Sequence, residues 1–152
     1  MSETGWLLHP QLGKDTVMAC DLALSRVLAM NDAEFPWLIL VPRRTGVGDI
    51  IDLGDEQAIL MEELSLISHV LKEETKCDKL NVAAIGNVVP QLHIHVVAGR
   101  DHARDLLVEE HGVLGCLQAR LGDVIRVVEA DPQELPWPRR HEQPHLREGI
   151  LG

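Results

Sequence analysis

The sequence is short of the residues that would staple a fold covalently or build a thiolate metal site. Its three cysteines, Cys20, Cys77 and Cys116, are widely spaced, odd in number and form no CxxC pair. Neither a disulfide framework nor a cysteine zinc site is indicated, and a reducing cytoplasm is the expected setting. Basic residues are also scarce: 14 Lys and Arg face 24 Asp and Glu, for a formal net charge of −10. That balance argues against a broad nucleic-acid-binding surface, which needs basic patches, but leaves room for a local basic spot serving one small phosphate ligand. No apolar run approaches membrane-spanning length, and residues 1–13 lack the basic segment and apolar stretch of a signal peptide. No internal repeat is visible. The expectation is a soluble cytoplasmic chain with neither nucleic-acid nor membrane partners, and 152 residues suffice for one domain with a real core.

Patterning then suggests the elements. The opening Thr4 to Leu12 is short and broken by Pro10, and it is left unassigned. Leu22–Met30 alternates as a strand, residues 31–36 carry turn chemistry, and Trp37–Val41 is a compact apolar run, so an antiparallel hairpin is the simplest arrangement. Pro42 ends the second strand and Arg43-Arg44-Thr45-Gly46-Val47-Gly48 reads as a loop, in which Arg43 and Arg44 are solvated or one of them steers an anionic substrate. From Asp55, a candidate cap, to Lys76, the residues Leu60, Leu64, Ile67 and Leu71 form one apolar stripe. Glu62, Glu63, Lys72, Glu73 and Glu74 are assigned to the other side, giving an amphipathic helix laid on a sheet. Asp78–Ile85 reads as a third strand, Gly86-Asn87 as a turn, and Val88–Ala98 as a fourth strand with an irregular start at Pro90. Beyond it, residues 104–121 suit an interrupted helix and 124–128 a short strand; residues 131–152, rich in proline and charge, read as an irregular tail after a single domain over 1–130.

The chemistry concentrates in Gln91-Leu92-His93-Ile94-His95-Val96-Val97. On a strand, alternate side chains share a face, which puts Gln91, His93 and His95 together and Leu92, Ile94 and Val96 opposite them. Such a pair of imidazoles can be an ordinary exposed face. It can also be part of a metal site, for which no nearby Asp, Glu or Cys stands at a persuasive spacing. A third possibility is a neutral imidazole that attacks phosphorus and later leaves as a good nitrogen leaving group. That chemistry needs donors to gather charge on the phosphate oxygens, and Gln91 and His95 flank His93 on the same face.

The order of elements, with the Q-φ-H-φ-H-φ-φ strand after a Gly turn, resembles the histidine-triad superfamily of nucleotide hydrolases and transferases over about residues 22–100. The resemblance implies an α+β, HIT-like fold, an antiparallel sheet with one principal helix, and a homodimer. It implies hydrolysis or nucleotidyl transfer at the α-phosphate of a purine nucleotide conjugate, of phosphoramidate or dinucleoside polyphosphate type, with no cofactor and no metal. By position His93 is the nucleophile that forms a nucleotidyl-imidazole, and His95 polarises phosphate near the leaving group. Gln91 takes the first triad position, where it can hydrogen-bond but not relay a proton. Asn31 and Asp32 match the region that reaches the ribose, and Asn81 matches an asparagine near the phosphates. Gly86 and Asn87 match the phosphate-facing turn, and Val88 replaces the hydroxyl residue that assists the leaving group. Trp37 and Thr45 stand where relatives often have histidine. These departures define the alternative: a nucleotide-binding protein with little or no turnover.

Overall fold

A five-stranded antiparallel sheet in the order β1-β2-β3-β5-β4 organises the computed structural model, which describes residues 5–31, 36–99, 119–120 and 122–123. The strands are β1 (Thr16–Asp21), β2 (Ser25–Met30), β3 (Trp37–Pro42), β4 (Lys79–Ala83) and β5 (Ile94–Gly99). The β2–β3 hairpin pairs Leu28 with Ile39 and Ala29 with Leu38, as the alternation in one segment and the apolar run in the other suggest. Leu38 to Pro42 are all buried, because β3 is central and both of its faces are covered.

Two layers cover those faces. Helix α2 (Gln57–Thr75) lies on one, and Leu60, Ile67, Val70 and Leu71 pack with Leu38, Leu40, Ile94, Val96 and Ala98 in the larger core cluster. On the other, Leu12 packs with Leu28, Ile39, Val41 and Val89, and Trp6 and Leu8 join at its margin. Fully burying a Leu or Ile stabilises by roughly 1.5–3 kcal/mol, so both layers matter energetically. The second layer is built by the segment left unassigned in the sequence. It contains helix α1 (Pro10–Asp15) and leads directly into β1. β1 is an edge strand with Val17 and Met18 exposed and an irregular register between Met18 and Cys20, which erases the period-two signal.

Several boundaries differ from expectation. The first hairpin strand begins at Ser25, because Leu22 to Leu24 turn the chain from β1 into β2. Ile50–Glu56 is a 3-10 helix, and Gly54, at φ 56°, kinks the chain before α2; Asp55 lies inside that 3-10 turn and does not cap α2. The fourth segment of the sequence joins the ladder only at Ile94: Pro90 brings no N–H, and the Leu92 N–H donates to the Val47 carbonyl instead.

Three charged groups assigned to solvent are structural. Glu63 is buried on α2 and accepts from the main-chain N–H of Leu24 at 2.6 Å and of Ser25 at 3.0 Å, fastening the β1–β2 turn. Its carboxyl is pushed above the usual range because burial outweighs these donors and the Arg43 charge. Arg43 donates to the carbonyls of Leu22 and Ala23, and Arg44 forms a forked ion pair with Glu56 that includes a 2.6 Å contact. Cys20 and Cys77 are unpaired, and burial together with Asp21 and Glu63 pushes the Cys20 thiol up to about 11. Ala119, Arg120, Gly122 and Asp123 are helical, and Arg120 pairs with Glu73 and Glu74 of α2. The rest of the interrupted helix, the 124–128 strand, Cys116 and the 131–152 tail lie outside the described residues.

Candidate active site

The two histidines meet where β5 enters the sheet. Their ring centroids are 5.0 Å apart in an edge-to-face arrangement with an interplanar angle of 79°. His93, only 6% exposed, precedes the ladder, while His95 lies within β5 opposite Ile39 of β3 and Ala83 of β4. The expected shared polar face is therefore realised as a corner, with one imidazole at the mouth of the strand and the other just inside it.

Hydrogen bonds assign the nitrogens. Nδ1 of His93 lies 2.7 Å from the main-chain oxygen of Gln91. A carbonyl only accepts, so Nδ1 carries a proton, and in the neutral ring the lone pair is the one on Nε2. For His95 the sense is reversed. The Trp37 indole N–H donates to Nδ1 of His95 at 3.0 Å, and an indole only donates, so the neutral ring carries its proton on Nε2. Burial first, and then the neighbouring His93, push the His95 imidazole below the usual histidine range, favouring that neutral form. One ring thus offers an electron pair and the other a proton.

Gln91 contributes to this corner through its main chain. Its side-chain amide accepts from the His9 N–H and donates to the Leu7 carbonyl, both at 2.9 Å. The amide flanks Leu8 as a peptide group of a parallel strand would, and it ties the N-terminal layer to the segment that enters β5. Gly86 closes the other side. A Cβ there would stand 3.2 Å from the Val89 carbonyl and 3.9 Å from Cε1 of His93, so the bare main chain lets the loop approach the ring. Asn87 and Val88 follow on the same exposed loop, Val88 at 90% exposure.

The remaining candidates are not gathered around His93. Asn81 pairs with Val97, and its amide lies beside Gly99, where a Cβ would meet Nδ2 at 3.1 Å. Val97 is four residues along from His93, or roughly 13 Å at strand rise. Asn31 is exposed just after β2 and donates its main-chain N–H to Asp15, and Asp32 lies outside the described residues. Thr45 is exposed on the loop after β3. Among the described residues, no group of three or more His, Cys, Asp or Glu is placed to hold a metal ion. Sequence reasoning missed the part played by Trp37, taking it for a lost imidazole. Its indole N–H and its place at the start of the strand pairing with the histidine strand are the signals that point to it.

The sheet, its single long helix and the paired imidazoles at the start of β5 define an α+β protein of the histidine-triad class. The comparisons name the family: a HIT domain model matches residues 12–102, and the chain belongs to the HIT family. The match begins earlier than the resemblance read from the sequence and takes in β1. Among solved structures, a histidine triad protein from Bradyrhizobium japonicum is 44% identical, with a TM-score of 0.69 over 76% of this chain and 98% of its own. Another from Sinorhizobium meliloti is 31% identical, with a TM-score of 0.70 over 80% and 98%. A third, from Marinobacter aquaeolei, is 33% identical, with a TM-score of 0.68 over 80% and 97%. No curated protein matches the chain significantly.

Proposed function

We propose that the chain is a nucleotide hydrolase or nucleotidyl transferase acting at the α-phosphate of a purine nucleotide conjugate, phosphoramidate or dinucleoside polyphosphate in type. The observation that carries this reading is the pair of opposed hydrogen bonds at Nδ1, which in the neutral rings leave a lone pair on Nε2 of His93 and a proton on Nε2 of His95. Nε2 of His93 attacks phosphorus and forms a P–N bond, while the bond to the leaving group breaks and its electron pair departs with that group. Water or another acceptor then attacks phosphorus, the P–N electron pair returns to Nε2, and the proton that the acceptor loses to solvent balances the one that the leaving group takes up from it. The His95 N–H serves a phosphate oxygen on which charge builds. Gly86 and Asn87 offer main-chain groups to the phosphates, and Asn31 and Asp32 the ribose contacts. We also propose a homodimer through edge strand β4, where Val82 is 48% exposed and Ile85, just after the strand, is 63% exposed.

One observation favours a nucleotide-binding protein with little turnover. Val88 carries no proton for the leaving group, and the Gln91 side chain is committed to Leu7 and His9. The two readings separate on one experiment. The purified protein is incubated with adenylated and guanylated phosphoramidates and dinucleoside polyphosphates, and product release is followed alongside intact mass. The enzyme reading expects turnover and a trapped nucleotidyl adduct on His93. His93→Ala should abolish both while holding nucleotide affinity within a few-fold, because loss of a nucleophile costs orders of magnitude in rate. Nucleotide binding without adduct or product across the panel would establish the binder instead.

A further inference from the structure

We propose that Trp37 is a positioning residue of this site: its indole N–H, bonded to Nδ1 of His95, locks that imidazole as a donor at Nε2. The proposal rests on the phosphoryl-transfer reading for its consequence and on the hydrogen bond for its cause. In the β3–β5 register Ile39 stands opposite His95 and Trp37 opposite Val97, which makes Trp37 the diagonal neighbour of His95. A diagonal pair on a sheet face is within reach of an aromatic side chain. The rings are 5.3 Å apart and tilted at 59°, and the N···N distance is 3.0 Å. Trp37 is itself held at the margin of the apolar cluster of Leu12, Leu28 and Ile39, so the donor does not swing freely.

The indole has one N–H and no acceptor, so it bonds His95 only while Nδ1 is unprotonated. Both alternatives lose this bond. Moving the proton to Nδ1 would turn an Nε2 lone pair toward the phosphate oxygens, and protonating the ring would set two N–H groups facing each other. A hydrogen bond made only to the neutral form also holds the ring neutral. The titratable neighbour on its own segment is His93, just before β5, while Ile39 and Ala83, opposite on β3 and β4, are uncharged. His93 receives the opposite instruction from the Gln91 carbonyl, so the two rings cannot exchange roles.

The test uses full-length protein labelled with 15N in histidine and tryptophan, with Trp37→Phe to delete the donor and Trp37→His to restore an N–H on a smaller ring. Wild type should show scalar coupling across the indole-to-His95 hydrogen bond and an Nε2–H tautomer at His95. In Trp37→Phe the coupling should vanish and the His95 titration midpoint should rise. With adenosine 5′-phosphoramidate as probe, kcat should fall about tenfold and KM stay within about threefold, the scale of one hydrogen bond, with Trp37→His recovering most of the loss. Absence of the coupling in wild type, or an unchanged His95 midpoint in Trp37→Phe, overturns the lock. A shifted midpoint with unchanged kcat overturns its part in the reaction. If wild type turns over nothing on the panel, the phosphoryl-transfer reading has failed, and the coupling and midpoint alone decide whether Trp37 holds the ring.

Discussion

Replacing Gln91 by alanine separates the two tasks that this position performs. The side chain makes two hydrogen bonds to main-chain groups of the N-terminal segment, and the main-chain oxygen separately orients His93. Each side-chain bond has a net worth of about 0.5–1.5 kcal/mol, and the part-buried His9 N–H left without its acceptor adds to the loss, so Gln91→Ala should destabilise by about 2 kcal/mol. Leu12, packed on Leu28 and Ile39, still holds the N-terminal layer to the sheet, which limits the damage to local detachment. Urea unfolding gives the total, and amide hydrogen exchange at His9 reports the site of the loss, because that N–H should lose protection. In the variant the main-chain carbonyl of the substituted residue still meets Nδ1 of His93, so any turnover should stay within about threefold of wild type, far from the loss expected on removing a nucleophile. An unprotected His9 amide in wild type, or a thousandfold fall in kcat in a protein of undiminished stability, would refute the separation.

Glu63→Gln should destabilise by about 1–3 kcal/mol, since one of the buried N–H groups of Leu24 and Ser25 would face an amide NH2 in place of an acceptor. The Glu63 pKa is raised in the fold, so its contribution is fully present below the unfolded value and declines as pH rises through the folded one. Wild type should therefore exceed Glu63→Gln by more at pH 4.5 than at pH 7.5, a difference that paired denaturant titrations measure; a gap that widens with pH would contradict the burial argument. Lys76 ends α2 in the left-handed region at φ 52°, where a Cβ is disfavoured. Lys76→Gly should raise stability by about 0.5–1 kcal/mol in the same assay, the relief of strain exceeding the entropy that glycine adds to the unfolded chain.

What the sequence determined by itself is whatever a local period writes. The apolar run Trp37–Val41 marks a central strand, the Leu60, Ile67 and Leu71 spacing marks the long helix, and the alternation around His93 and His95 marks the strand that carries the chemistry. Those features are repeated along one element, so neighbouring residues report the same environment. Tertiary structure decided the groups whose partners are far away in the chain. Glu63 looks like one more solvent-facing glutamate until the β1–β2 turn brings it two main-chain donors, some 39 residues distant. Trp6, Leu8 and Leu12 show no period of their own and acquire a role only because the sheet presents an uncovered face. Trp37 reads as a missing imidazole until β3 pairs with β5 and sets its N–H against His95 across 58 residues. The direction of a hydrogen bond belongs to a pair of groups, so the proton positions in this site were written only when the sheet closed.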